Sequence, residues 1–112
     1  MSTTIERIVI SRAYDLIKDR KGWTRHAEAR AGNGREVEVC SPKAKRFCAI
    51  GALRRAAFDV TGSEETAERV GDGLERLITE RFLGRGDTLP MVNDCEGHAA
   101  VLAVFERAKA EI

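Results

Sequence analysis

Four stretches of this chain carry apolar residues at helical spacing, and the breaks between them contain glycine. The stretches span roughly residues 4–19, 42–61, 63–83 and 98–112. An amphipathic stripe is stable only when it packs against other elements, so the pattern predicts helices that share a core. A length of 112 residues suits a single core, and we predict one compact domain over residues 1–112.

A different pattern lies between the first two helical stretches. The turn residues Gly32-Asn33-Gly34 are followed by Arg35 to Val39, in which polar and apolar residues alternate. Alternation beside a glycine-rich turn is typical of a β-hairpin. The predicted fold class is therefore mainly α (α+β), with about four helices in one core and a small β-hairpin between helices one and two.

The second helix has a strong local start signal. Ser41 is a favourable N-cap residue, and Pro42 is favourable at the first helical position. We therefore predict a helix over residues 42–60. Gly51 inside this helix costs about 1 kcal/mol relative to alanine, which predicts a tight crossing with another helix there.

Charge and cysteine content restrict the function classes. Nineteen Lys and Arg balance eighteen Asp and Glu, so a net charge of +1 disfavours bulk nucleic-acid binding. No apolar run is long enough to span a bilayer, and the first residues do not resemble a secretory signal. Three cysteines are an odd number without a disulfide spacing, so we expect free thiols and a cytoplasmic protein.

Two motifs carry a resemblance to a known family. They are the string Phe47-Cys48-Ala49-Ile50-Gly51-Ala52-Leu53 and the later pair Asn93-Asp94. With these motifs the chain resembles, over nearly its whole length, a family of small uncharacterised proteins from bacteria and their phages. The resemblance implies a family but no activity.

Cys48 is the first candidate for chemistry. A thiol near a helix start can be activated by the dipole, with Asp94 as base and His98 as orienting residue. In the predicted helix, however, Cys48 lies nearly two turns from the start, where the dipole has decayed. We therefore expect Cys48 to pack as a small buried side chain and predict no catalytic residue.

Metal and cofactor sites have weak signals. Cys95 and His98 show a Cys-x-x-His spacing that Cys40 and Cys48 would have to complete, but the spacing of this second pair does not match a zinc module. The glycine pairs at 71 and 73 and at 84 and 86 do not follow a strand and open a helix, as a phosphate loop does. We predict no metal and no cofactor.

Asn93 and Asp94 allow two interpretations. Adjacent short polar side chains can bind a ligand, but they also cap helices, and a helix follows within a few residues. Trp23 can likewise stack on a ligand or anchor the hairpin on the helices, and we favour the structural role in both cases. If the chain does bind a ligand, the candidate binding residues are Trp23, Cys48, Asn93 and Asp94.

A basic cluster on the predicted second helix is the candidate surface for a polyanion or an acidic partner. Its members are Lys43, Lys45, Arg46, Arg54 and Arg55. At 100° per residue these side chains point in several directions, and no aromatic residue is interleaved for base stacking. A solvated helix face is the simpler interpretation.

These observations favour a small non-enzymatic interaction protein that binds a protein partner. We expect an accessory protein of the kind that phages and mobile elements carry, acting as an inhibitor of a host macromolecular system. One alternative is a small-molecule-binding or enzymatic domain with a site near Cys48, Asn93 and Asp94. The second alternative is a nucleic-acid binder that uses the basic helix 42–60.

Overall fold

The structure, a computed structural model, describes residues 4–112. The elements in chain order are α1 (Thr4–Ile17), a 3₁₀ turn (Arg20–Gly22), β1 (Ala29–Ala31), β2 (Ala44–Phe47), α2 (Ala49–Thr61), α3 (Glu64–Phe82), α4 (Leu89–Met91), a π-helical segment (Val92–Glu96) and α5 (His98–Glu111).

The helices share one hydrophobic core. The side chains of Ile10, Leu53, Ile78 and Phe105, one from each long helix, are among the largest that are fully buried. The predicted fold class is confirmed: helices pack in one core with a two-stranded antiparallel hairpin between α1 and α2. A further helix, α4, brings the number of α-helices within residues 4–112 to five. It has only three residues and lacks the long periodic pattern from which the other four were predicted.

The junction between α2 and α3 follows its local sequence signals. Gly62 ends α2 in the left-handed conformation, with φ of 73°. The side chain of Ser63 then accepts a hydrogen bond from the backbone N–H of Thr66 at 3.2 Å, as an N-cap does. The predicted start of the third helix at Ser63 is therefore confirmed.

Two helical glycines lie where a neighbouring element leaves no room for a side chain. A Cβ on Gly51 would lie within 2.8 Å of the backbone carbonyl carbon of Glu28, just before β1. The close approach at Gly51 is confirmed, but the approaching residue lies in the bend before β1 and not in a helix. The tight helix contact lies at Gly71 on α3, whose Cβ would come within 2.8 Å of Cγ of Arg54 on α2.

The predicted hairpin exists, but its second regular strand lies later in the chain. The ladder joins β1 to β2, with Ala29 opposite Phe47 and Arg30 opposite Arg46. The alternating segment after the glycine turn lies on the other side of β1, where Val37 donates its N–H to Ala29 and Glu36 forms a single bridge with Arg30.

The predicted start of the second helix at Ser41 and Pro42 is wrong. Ser41 forms a turn instead, in which its side chain accepts the N–H of Lys43 and its carbonyl accepts that of Ala44. Residues 44–47 then pair with β1 and bury Ala44 and Phe47 in the core. Ladder hydrogen bonds and burial outweigh the local helix signal, and α2 begins at Ala49.

Candidate functional site

Asn93 is a buried polar residue that connects several elements. The π-helical segment turns its side chain into the protein, where it is 1% exposed. Its Oδ1 accepts from Nε1 of Trp23 at 2.8 Å and from the N–H of Ala49 at 2.9 Å. Its Nδ2 donates to the carbonyl of Thr24 at 3.1 Å and to Oδ1 of Asp94 at 2.9 Å. The side-chain amide therefore uses all four of its hydrogen-bonding positions within the protein.

The capping role of Asn93 differs from the predicted one. Asn93 accepts the first N–H of α2, at Ala49. The helix that follows it, α5, has Gly97 at its N-cap position and therefore no side-chain cap. The prediction that the Asn93-Asp94 pair caps the following helix is therefore wrong. The orphan amide that needs an acceptor belongs to a helix far away in sequence.

Trp23 lies in the core beside the same amide. Its side chain is 7% exposed, and the ring of His98 lies 5.2 Å from its ring, centroid to centroid. Nε2 of His98 donates to the carbonyl of Ile17, which fixes the imidazole at the end of α1. Trp23 therefore presents little ring surface on which a ligand can stack.

Asp94 holds a strained loop. Its Oδ1 accepts the N–H of His26, a residue with φ of 67°, and its Oδ2 lies 3.6 Å from Nδ1 of the same histidine. Partial burial opposes the carboxylate charge, whereas the hydrogen bonds from Asn93 and from the N–H of His26 favour it. Together with the nearby charges of His26 and Arg25 they lower the pKa of Asp94 below its usual value.

Cys48 occupies the N-cap position of α2 and not the helix interior, so the predicted placement nearly two turns into a helix is wrong. Its Sγ accepts the N–H of Gly51 at 3.3 Å. Burial raises the pKa of the Cys48 thiol to about 11, although the N–H groups of Gly51 and Ile50 act in the opposite direction. Desolvation thus outweighs the helix terminus, and the thiol stays protonated near neutral pH.

Three of the four candidate binding residues share one cleft. Cys48, Asn93 and Asp94 line an opening of about 280 Å³, whereas Trp23 lies outside it. His98 does not line this cleft either, so the arrangement of Cys48, Asp94 and His98 considered for catalysis is not assembled there.

The cysteines and His98 were the candidate metal ligands, and their positions can be compared in the structure. All three cysteines are free, and within residues 4–112 no three His, Cys, Asp or Glu side chains converge as metal ligands. Cys40, Cys48, Cys95 and His98 therefore do not form a common site in this part of the chain.

The basic cluster is divided between two elements. Arg54 and Arg55 lie on α2 and are engaged within the protein: Arg54 binds Glu28 and Asp72, each at 2.7 Å, and Arg55 binds Asp59 at 3.1 Å. Lys43, Lys45 and Arg46 lie on β2 or just before it, and all three are exposed. The prediction of one basic helix over residues 42–60 is therefore wrong, because its first part is strand.

Sequence reasoning missed an acidic groove. Its volume is about 790 Å³, and it runs between the segment after the glycine turn and the start of α3. Five glutamates line it: Glu28, Glu36, Glu38, Glu64 and Glu68. Val37, Val39 and Ala67 supply apolar lining. The alternation of Glu36 to Val39 was the available signal, but its acidic side chains face those of α3 only after folding.

Arg54 separates the acidic groove from the cleft at Cys48, since it lines both. Partial burial opposes its charge, but the carboxylates of Asp72 and Glu28 raise the pKa of Arg54 above its usual value. The cation is thus held between two carboxylates.

Fold and site together describe a small, mainly helical protein in which one buried asparagine joins the hairpin region to the start of α2. The chain belongs to a family of unknown function, DUF6197, whose model matches residues 1–111. The predicted membership of an uncharacterised family is confirmed, while an origin in bacteria or phages stays a prediction. No curated protein and no solved structure matches the chain. No helix within residues 4–112 is both long and apolar enough to cross a membrane.

Proposed function

We propose that this protein is a non-enzymatic interaction protein that binds a Lys- or Arg-containing segment of a partner protein in the acidic groove. The observation that carries the proposal is that several carboxylates of the groove form no ion pair within the described residues. Within residues 4–112, Glu36, Glu38 and Glu68 line the groove without a basic side chain within 4.0 Å.

Charge and shape favour a cationic segment of a protein. Like-charged carboxylates around one groove repel each other, and a cation placed between them relieves that repulsion. Val37 and Val39 are half-buried and give the segment an apolar surface for contact. Charged side chains beside apolar ones, as this groove combines them, also occur together in protein interfaces.

The uses of the other candidate residues support the non-enzymatic part of the proposal. Asn93 and Trp23 bind each other, and the raised pKa of the Cys48 thiol opposes its action as a nucleophile at neutral pH. We further propose, as the finer form of this function, a cytoplasmic accessory protein that inhibits a host system by occupying a basic surface of one of its components.

A second candidate function is small-molecule binding in the cleft at Cys48. The observation in its favour is that Cys48 and the Asn93-Asp94 pair, which are distant from each other in sequence, line one opening. A metabolite that binds only the folded state raises the melting temperature. A thermal-shift screen of wild type and the Asp94→Asn variant tests this function, and a stabilising metabolite whose effect needs Asp94 would favour it over the groove.

The groove is tested by affinity capture from nuclease-treated lysate followed by mass spectrometry. The groove variant is Glu36→Gln/Glu68→Gln. The matched control is Glu80→Gln/Glu96→Gln, which removes the same charge from exposed positions outside the groove. We expect wild type and control to capture the same partner protein in similar amounts. The groove variant should capture at least tenfold less of it.

The captured protein then identifies the contact. A peptide that spans its Lys- or Arg-containing segment should bind wild type in calorimetry and should not bind the groove variant. Equal capture by the groove variant and the control would contradict the proposed groove, and an empty eluate from wild type would contradict the interaction function.

A further inference from the structure

Four short extended segments lie side by side around the hairpin. They are residues 23–24, 44–47, 29–31 and 35–37, in that spatial order. Thr24 donates its N–H to the carbonyl of Phe47 at 3.1 Å, and Val37 donates to that of Ala29 at 3.1 Å. We call these four segments the extended layer. Its inner side faces the core through Ala29 and Phe47.

The outer side of the extended layer places two arginines directly opposite each other. Arg30 and Arg46 are partners in the β1–β2 ladder, and like charges in that position are destabilising. The guanidinium of Arg30 is held by the hydroxyl of Thr24 and by the carbonyls of Gly34 and Arg25. These acceptors are neutral, so they fix the guanidinium without cancelling its charge.

Further cations surround this pair. Lys45, directly before Arg46, and Lys43, two residues earlier than Lys45, are both exposed. The guanidinium of Arg25 lies over the ring of Trp23, 5.1 Å from its centroid. We define the basic face as Arg25, Arg30, Lys43, Lys45 and Arg46. Within the described part of the chain, no member has a carboxylate within 4.0 Å.

Two acidic residues limit the extent of the basic face. Glu36 is the bridge partner of Arg30 on the far side of β1, and the charge of Arg25 reaches Asp94. Asp94 is already engaged by the N–H of His26. The unopposed charge is therefore concentrated at Arg46 and the two lysines beside it.

We propose that the basic face binds the phosphate backbone of a nucleic acid, at a surface separate from the acidic groove. A guanidinium group can bind two phosphate oxygens through a pair of parallel hydrogen bonds, and the basic face contains three such groups. The apolar side chains Ala29, Ala44 and Phe47 of this layer are buried, so its outer side lacks the apolar anchors on which protein interfaces depend.

The same geometry defines the mode of recognition. Trp23 is buried, and its indole N–H is bound by Asn93, so it offers no platform for base stacking. Contacts to phosphates carry no sequence information directly. Binding should therefore be indifferent to sequence and should require salt low enough to preserve electrostatic attraction.

The test is fluorescence anisotropy with a labelled duplex DNA of about 20 base pairs, long enough for several phosphate contacts. We expect micromolar binding at 50 mM salt and, for about four phosphates, a fall of roughly 100-fold in affinity at 200 mM. A second duplex of scrambled sequence should bind within about twofold, because phosphates alone are contacted.

Two variants with equal net charge separate the basic face from bulk charge. The face variant is Lys43→Gln/Lys45→Gln/Arg46→Gln, and the control is Arg7→Gln/Arg69→Gln/Arg76→Gln at exposed positions on α1 and α3. Each lowers the formal charge from +1 by three, to −2. We expect the face variant to lose at least tenfold in affinity and the control to stay within about threefold.

Clear outcomes would overturn the proposal. They are no anisotropy change at 50 mM salt, equal losses in both variants, or displacement of the DNA by poly-glutamate at equal charge concentration. Circular dichroism confirms that the face variant is folded, and Arg46→Lys, which keeps the charge, should retain most of the binding. Because the groove residues are unchanged in these variants, the result is independent of the proposed protein partner.

Discussion

Oδ1 of Asn93 accepts a hydrogen bond from Nε1 of Trp23 at 2.8 Å, between residues 70 positions apart in the chain. The same oxygen accepts the N–H of Ala49 at the start of α2. One buried oxygen atom thereby joins the π-helical segment, the 3₁₀ turn region and the second helix. The asparagine is a structural connection on which the position of the hairpin depends.

Replacement of Asn93 should destabilise the fold. In Asn93→Ala, Nε1 of Trp23 and the N–H of Ala49 lose their acceptor inside the protein, and each buried unsatisfied donor costs about 1–3 kcal/mol. We expect the free energy of unfolding to fall by at least about 2 kcal/mol. Urea denaturation followed by the fluorescence of the single tryptophan measures it.

A second asparagine provides the control. Asn33 is exposed in the glycine turn, where its side chain accepts the N–H of Arg35 at 3.0 Å. Asn33→Ala should lower the free energy of unfolding by less than about 1 kcal/mol. Similar losses in the two variants would contradict the structural role of Asn93.

Gly51 and Gly73 form a matched pair of helical glycines. Gly51→Ala places a Cβ against the backbone of Glu28, which cannot move as a flexible side chain can, and we expect a loss of about 2 kcal/mol or more. Gly73 has nothing within 4 Å of its Cβ position, so Gly73→Ala should stabilise α3 by about 0.5–1 kcal/mol. Thermal denaturation of both variants measures these changes in stability. Changes of the same sign in the two variants would be inconsistent with this packing.

Cys48 should react slowly with alkylating reagents. Since its pKa is raised from 9.0 to about 11, the thiolate fraction at pH 8 falls about 100-fold. In a Cys40→Ser/Cys95→Ser variant, iodoacetamide labelling of Cys48 at pH 8 should be about 100-fold slower in the folded than in the urea-unfolded protein. The rate should rise as the pH approaches 11, and fast labelling at pH 8 would show that the thiol is neither buried nor protonated.

Asp94 should contribute to acid stability with a defined sign. Its pKa is lower in the folded protein than the usual 3.8, so its contribution is present above that pH and is lost as the pH falls through the lower folded value. Wild type should therefore lose more stability than Asp94→Asn as the pH falls below about 4. The exposed Asp15→Asn serves as control, and parallel curves for wild type and Asp94→Asn would refute this dependence.

The sequence by itself determined the long helices and their order. The apolar stripe of α3 and the cap at Ser63 are local features, and they act over a few residues without needing a partner elsewhere in the chain. The glycine turn likewise predicted an extended region between α1 and α2 because its conformational preference is local.

Only the tertiary structure decided where α2 begins and what the polar residues do. Ser41 and Pro42 favour a helix locally, but pairing with β1 and burial of Phe47 make residues 44–47 a strand. Nothing near Asn93 in sequence indicates that its amide oxygen caps a helix that begins at Ala49. Hydrogen bonds, repulsion between glutamates and close backbone contacts depend on distances that exist only after distant segments have packed together.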